Sequence, residues 1–169
     1  MNQTDFLKVV IPFKDKVFRL AKRLLVSTDE AEDATQELIL KLWKQKEKLS
    51  SYNNVEAYAM RMTKNYCFDR LKSKQASNIS IVHSNYKSND CGLDKKVEQK
   101  DSVNFVHQII ETLPDKQKVI FQLRDIEQYD FDEICRVVEM NPTTVRVSLS
   151  RARKTIREAL IKKHSYGVQ

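Results

Sequence analysis

Between residues 142 and 157 the chain carries Arg146, Arg151, Arg153, Lys154 and Arg157 and no acid, although its 169 residues include 23 Asp and Glu. Guanidinium and ammonium groups in such a run suit one kind of chemistry, the holding of anionic oxygens and base edges without making or breaking a bond. At 100° per residue of helix, Val145, Leu149, Ala152, Ile156, Ala159 and Leu160 fall within an arc about 100° wide, which makes a core face. Arg146, Val147, Ser150, Arg151 and Lys154 lie outside that arc, with Thr143 and Thr144 at the N-terminal end. The preceding stretch inverts the charge: residues 101–135 hold eight acids and three Lys or Arg. A merely solvated helix usually mixes its signs, because Glu–Lys pairs one turn apart help it. A solvated basic face is the bland alternative; the sharper one is a helix that meets phosphates and bases.

The elements that would position this face are legible. Asn141 is a good N-cap and Pro142 a good first helical residue. Asp130, with Glu133 three residues on, opens an earlier helix carrying Ile134, Val137 and Val138. A helix, a turn of about three residues and a second helix form a helix-turn-helix, whose second helix enters the major groove N-terminus first. Thr143, Thr144, Arg146, Val147, Ser150 and Arg151 would then lie nearest base edges. Arg153, Lys154 and Arg157, further along, would hold phosphates. An acid on this face would repel the DNA backbone. Such turns favour Gly at positive φ; here the residue is Glu139, so the sequence predicts strain there or a different turn.

Composition bounds the alternatives. The net charge is +7 and the isoelectric point is near 9.3, which invites an anionic partner. Two Gly and three Pro are too few for an all-β sandwich or barrel. No apolar run reaches about 18 residues, so no membrane insertion is expected, and the first eight residues lack an apolar signal core. Cytoplasmic is the default. Cys67, Cys91, Cys135, His83, His107 and His164 are scattered, which supports neither a disulfide framework nor a metal site. No cofactor is implied. With no Gly-rich phosphate loop and no evident nucleophile–base pair, no enzyme is expected.

The fold class expected is all-α, in two small helical domains joined by a flexible linker, the second a helix-turn-helix: 1–76, then a Ser- and Asn-rich linker at 77–100, then 101–169. In the first part, Phe6, Val9, Val10 and Phe13 make one stripe. Pro12 can open a second helix with Val17, Leu20, Ala21 and Leu24. Ser27 and Glu30 look like a capping box for a helix with Ala31, Ala34, Leu38 and Leu42 on one side. Residues 50–54 form a polar loop before a helix starting near Val55. Within the linker, "ISIVH" could make a short strand, though with no partner. In the last part, Val103, Val106, Ile109, Ile110 and Leu113 form a stripe, and Pro114 sits where the next helix would begin.

Taken together, these pieces resemble a family. "LPDKQKVIFQLRDIEQYDFDEICRVVEMNPTTVRVSLSRARKTIREAL" resembles the promoter-reading C-terminal domain of bacterial RNA polymerase sigma factors of the extracytoplasmic-function (ECF) group, in the sigma-70 family. "TDEAEDATQELILKLWKQ" resembles their polymerase-binding helix, and "NNVEAYAMRMTKNYCFDRLKSK" the helix that handles the minus-ten element. The resemblance implies a transcription initiation factor that binds core RNA polymerase, directs it to promoter DNA and helps melt the minus-ten element. It also admits an anti-sigma factor as a partner. It assigns polymerase docking to Asp33, Gln36 and Glu37, the "D-x-x-Q-E" pattern, which share one side of a helix. An acidic first turn favoured by the helix dipole is the plainer reading, preferred for Glu30 and Glu32; a Mg²⁺-holding nuclease cluster would need a second acidic group.

By the same resemblance, the loop Ser50, Ser51, Tyr52, Asn53 and Asn54 would capture a flipped base of the melted strand. Arg61, Lys64 and Asn65 would contact nearby backbone or bases. Tyr58, Met60, Tyr66 and Trp43 are read as packing rather than stacking platforms. The recognition helix departs from the family pattern "VKSRLSRAR" by reading "VRVSLSRAR", and the turn Gly is Glu139. Those departures bear on which promoter is read. The alternative within DNA binding is a helix-turn-helix regulator that does not associate with polymerase, which would leave Asp33, Gln36 and Glu37 unexplained.

Overall fold

The computed structural model describes the backbone of residues 1–78 and 97–166, and these contain helices and no strand. The segment "ISIVH" and most of the stretch 77–100 lie outside the described residues. The helices are α1 (Gln3–Leu25), α2 (Thr28–Lys44), the short α3 (Lys46–Leu49), α4 (Val55–Asn78), α5 (Val97–Thr112), α6 (Asp115–Phe121), α7 (Phe131–Val138) and α8 (Pro142–Tyr166). A π-helical turn, Gln122–Ile126, follows α6 directly. Helices α4 and α5 reach two and four residues into the stretch expected as linker.

Pro12 does not open a new helix: α1 runs through it. Proline removes the bond to the carbonyl of Lys8 and costs about 3 kcal/mol inside a helix. One unbroken stripe opposes that cost: Phe6, Val10, Phe13, Val17, Leu20, Ala21 and Leu24 are all buried. Each large apolar side chain among them contributes roughly 1.5–3 kcal/mol, so the stripe outweighs the break. Asn2 starts α1, its side chain accepting from Asp5 N at 2.8 Å. The capping box expected at α2 is half formed. Ser27 accepts from Glu30 N at 3.4 Å, but the Glu30 carboxylate reaches across to Lys74 and, at 3.9 Å, Arg70. It joins α2 to α4, which is more than a dipole-favoured first turn. Pro114 is the N-cap of α6 rather than its first residue. At α5 the stripe shifts slightly, with Ile109, Ile110 and Leu113 buried and Val103 exposed.

Helices α1, α2 and α4 pack as one unit and α5 to α8 as another, and the two units share a core. Leu20, Leu24 and Met60 belong to the same buried cluster as Val119, Leu123, Ile134 and Leu149. A second, smaller cluster of Ile109, Ile110, Leu113, Ala152 and Ile156 joins α5 to α8.

The π-helical turn builds the polar seam between the units. Its wide bond, from Glu127 N to Gln122 O at 2.9 Å, brings Gln122 and Glu127 to face α1. Arg19 grips the Glu127 carboxylate through two bonds of 2.7 Å, and the Glu127 side chain is only 3% exposed. Arg23 donates to Gln122 Oε1 at 3.1 Å and lies 3.0 Å from His107 Nδ1. Tyr129 donates to Glu56, which also holds Lys16 at 2.7 Å. No buried side-chain N or O among the described residues is left without a partner. The seam therefore satisfies its own buried polar groups, and that lets it form at all.

His107 reports on this seam. Burial, then the neighbouring Arg23 guanidinium, push its pKa below the ordinary value, with Glu111 pulling the other way. Because the folded value is the lower one, the neutral ring is favoured in the fold. Its stabilising contribution is complete above the unfolded value of about 6.5 and is lost as pH falls through the folded value. An NMR titration is expected to place the His107 midpoint below that of the unfolded chain, and Arg23→Ala to move it upward. A midpoint indifferent to Arg23→Ala would mean that the two groups are not neighbours in solution.

Candidate nucleic-acid interface

The recognition helix is placed as its periodicity requires. Val145, Leu149, Ala152 and Ile156 are buried; Thr143, Thr144, Arg146, Val147, Ser150, Arg151, Lys154 and Arg157 are exposed. Asn141 caps α8, accepting from Thr144 N at 2.8 Å. Asp130 and Glu133 form a complete capping box at α7. The turn between them has Glu139 at φ 58°, ψ 43°, left-handed backbone that costs a residue with a side chain roughly 1–2 kcal/mol. Val26 and Gln128 also have positive φ. Both glycines of the chain, Gly92 and Gly167, lie outside the described residues, so all three described turns of this kind fall on residues with side chains.

Two arginines of this face are held in place. The Arg146 guanidinium lies over the Phe131 ring, 5.2 Å from its centre. Arg153, expected on phosphate, makes two bonds to Asp125 of 2.9 and 2.5 Å, and that hydrogen-bonded carboxylate raises its pKa. It thus braces α8 against the π-helical turn. Arg146, Ser150, Arg153 and Arg157 together line a cleft of about 310 Å³ with Phe131 and Leu149. A cleft walled by three guanidinium groups and a hydroxyl suits a phosphate oxygen.

The residues expected on the minus-ten strand sit at the N-terminal side of α4. Tyr52, Asn53, Asn54, Ala57, Tyr58 and Arg61 line a cleft of about 410 Å³. Tyr58, read as packing, stacks on Tyr52 with ring centres 4.3 Å apart and planes 15° from parallel; burial and the Tyr52 hydroxyl raise its pKa. Two tyrosines six residues apart across a helix start gave a weak signal for that pair. Met60 is fully buried, while Tyr66 and Trp43 are half-buried, as packing residues are. Ser50 and Ser51 turn their hydroxyls back to the carbonyls of Glu47 and Lys48. Asn54 caps α4, its Oδ1 accepting from Ala57 N at 2.8 Å. Asn65 is exposed, Arg61 half-buried and Lys64 buried. Arg136, from α7, also lines this cleft, which no local sequence pattern could have shown.

On α2, Asp33 and Gln36 are exposed and Glu37 is half-exposed, 3.7 Å from Lys41. They share a side beside an apolar groove lined by Phe6, Leu7, Gln36, Ile39, Leu40 and Trp43. Leu7, Ile11 and Leu40 are 44%, 63% and 45% exposed, an apolar margin to a polar patch. The described residues contain no group of three or more His, Cys, Asp or Glu placed to hold a metal. Burial pushes the Cys67 thiol up to about 12, so it stays protonated and inert. None of the described helices is long and apolar enough to cross a membrane.

Comparison with known proteins agrees with this arrangement. Residues 10–77 match the model of Sigma-70 region 2, and residues 106–156 that of Sigma-70, region 4. The chain is 23% identical to the ECF RNA polymerase sigma factor SigW of Bacillus subtilis, covering 94% of this chain and 90% of SigW. It is 24% identical to the ECF RNA polymerase sigma-E factor of Escherichia coli K12, over 92% and 86% of the two chains. Among solved structures it shares its fold with the sigma factor RpoE in complex with the anti-sigma factor NepR from Bartonella quintana: TM-score 0.71, 19% identity, covering 92% of this chain and 96% of that one. CnrH in complex with the cytosolic domain of CnrY gives a TM-score of 0.67 at 15% identity, over 95% and 90%. With both regions present, in order, on a chain whose basic run and acidic patch lie on separate helices, the protein belongs to the ECF group of sigma-70-family RNA polymerase sigma factors.

Proposed function

We propose a residue-level division of labour for this sigma factor, which binds core RNA polymerase and directs it to specific promoters. Asp33, Gln36 and Glu37, with Leu40 at their edge, dock on polymerase. The loop from Ser50 to Asn54, with the stacked Tyr52 and Tyr58, receives a base of the melted minus-ten strand, and Arg61, Lys64 and Asn65 hold that strand. Thr143, Thr144, Arg146, Val147, Ser150 and Arg151 read the minus-thirty-five element, while Arg153, Lys154 and Arg157 face its phosphates. Domain limits near 1–76 and 101–169 go with this reading. The chain works in the cytoplasm, makes no bond chemistry of its own, and admits an anti-sigma factor as a further partner.

The observation that carries the reading is the exposed, acid-free N-terminal half of α8, present in one chain with a separate exposed acidic patch on α2. A DNA-binding regulator that never meets polymerase has no use for the second. The test is reconstitution. Tagged protein should retain sigma-free core polymerase on a column, and the pair should start transcripts at a restricted set of genomic sites that share two spaced elements. Binding to duplex DNA without any retention of core polymerase would favour the regulator instead.

A further inference from the structure

Helix α1, helix α5 and the π-helical turn line a cleft of about 340 Å³, and none of the described residues in its wall is assigned above to DNA or polymerase. Phe18, Val26 and Ile126 give it apolar walls. Val26 and Ile126 are 54% and 43% exposed. Val26 follows α1 with φ 67°, a costly conformation for a β-branched residue. Its own burial does not offset that cost, and what the strained backbone positions is an apolar group at the cleft. The polar part of the wall centres on Arg23. One turn before it, Arg19 is neutralised by the Glu127 carboxylate. Arg23 is half-buried, and its hydrogen-bond partners are both uncharged acceptors. Its Nε donates to Gln122 Oε1 at 3.1 Å and its Nη2 lies 3.0 Å from His107 Nδ1. Glu111, exposed on α5, acts on it only through space. Nη1 has no partner among the described residues, and no unpartnered side-chain nitrogen there is fully buried. Nη1 is therefore open to an incoming group.

We propose that this cleft binds a small amphipathic anion, a carboxylate or phosphate monoester on a compact apolar body. Arg23 holds the anionic oxygens, and Phe18, Val26 and Ile126 pack on the body. A guanidinium that has lost part of its hydration without gaining a counter-ion is left under-compensated. Burial accordingly pushes the Arg23 pKa below its ordinary value. An anion restores the balance through charge-assisted bonds, the strong kind. Lys22, exposed at the rim with its Nζ 2.7 Å from Thr28 Oγ1, adds attraction. A cleft of this size, largely apolar with a few placed polar groups, is the usual form of a small-molecule site. Arginine can only donate, so His107 Nδ1 is the acceptor of their bond and the neutral ring carries its proton on Nε2. The ring thus sits beside the bound anion as a reporter.

The experiment titrates the full chain by calorimetry at low salt with benzoate, phenyl phosphate, benzyl alcohol and inorganic phosphate, and follows the His107 ring by NMR. Benzoate and phenyl phosphate should bind with dissociation constants of about 1 mM or tighter and shift the His107 resonances. Benzyl alcohol, which lacks the charge, and inorganic phosphate, which lacks the apolar body, should each bind roughly tenfold more weakly. Arg23→Gln should weaken both organic anions about tenfold or more. Because that variant also loses contacts within the seam, two exposed positions provide a second test. Ile126→Ser should weaken both anions about threefold, and Glu111→Gln should tighten them by a similar factor by removing a like charge. No heat and no His107 shift with either organic anion would overturn the site. Benzyl alcohol or inorganic phosphate binding as well as the organic anions would also overturn it. So would anion affinities that neither Ile126→Ser nor Glu111→Gln changes, whatever the fate of Arg23→Gln.

Discussion

Reversing charge at Asp33 and Glu37 together, as Asp33→Lys with Glu37→Lys, is expected to reduce capture of core polymerase by on the order of 100-fold or more. Residues at the centre of a docking patch commonly contribute 2 kcal/mol or more each, and reversal adds repulsion to the lost attraction. The fold should survive. Asp33 is exposed, and the Glu37 carboxylate has one ion pair, to Lys41 at 3.7 Å. A surface pair of that kind is worth about 0.3–0.5 kcal/mol on a helix, so Tm should fall by no more than about 2–4 °C even if the cost reaches 1 kcal/mol. Helicity by circular dichroism should not change, and a minus-thirty-five duplex should bind as before, because α8 lies on the other unit. Undiminished capture with unchanged helicity would remove these residues from the docking surface. The apolar margin of Leu7, Ile11 and Leu40 would then be the place to mutate next.

What the sequence made legible, and what it hid, follows from how local each feature is. The core face of α8, the caps at Asn141 and Asp130 and the left-handed turn at Glu139 are set by residues within a few positions of one another, and the structure has them as expected. Pro12 misleads because its local propensity to start a helix is outweighed by one buried stripe that runs through it from Phe6 to Leu24. Glu30 misled for a different reason: a first-turn acid and an ion-pair partner of Lys74 look alike until α4 is placed beside α2. The seam was the largest omission. Arg19 and Glu127 are 108 positions apart, and Arg61 and Glu139 meet only because α7 lies on α4. Nothing in the spacing of either partner announces the other. The π-helical turn at Gln122–Ile126 was equally invisible, since apolar periodicity continues through α6 into it and only the burial of Gln122 and Glu127 shows why it widens.

Arg146→Ala and Arg151→Ala should each weaken binding to the cognate minus-thirty-five duplex by on the order of 1–3 kcal/mol and relax its sequence preference. Both project from the N-terminal half of α8, outside its buried face, and neither makes an ion pair within the described residues that would hold it away from DNA. Arg146 is the stronger case. The Phe131 ring beneath its guanidinium limits the side chain's freedom before DNA arrives, so less ordering is required on binding. Phe131→Leu should therefore give a weaker copy of Arg146→Ala. Lys154→Ala belongs to another class. Its side chain is 73% exposed and meets only Glu158, 3.8 Å away and one turn further on. Its loss should weaken matched and scrambled duplexes alike and reduce the salt slope by about one unit. Binding isotherms on both duplexes at several salt concentrations separate the two behaviours. Equal losses on matched and scrambled DNA for Arg146→Ala and Arg151→Ala would make α8 a phosphate clamp, and the sequence preference would then have to come from Thr143, Thr144 and Val147 at the helix entrance.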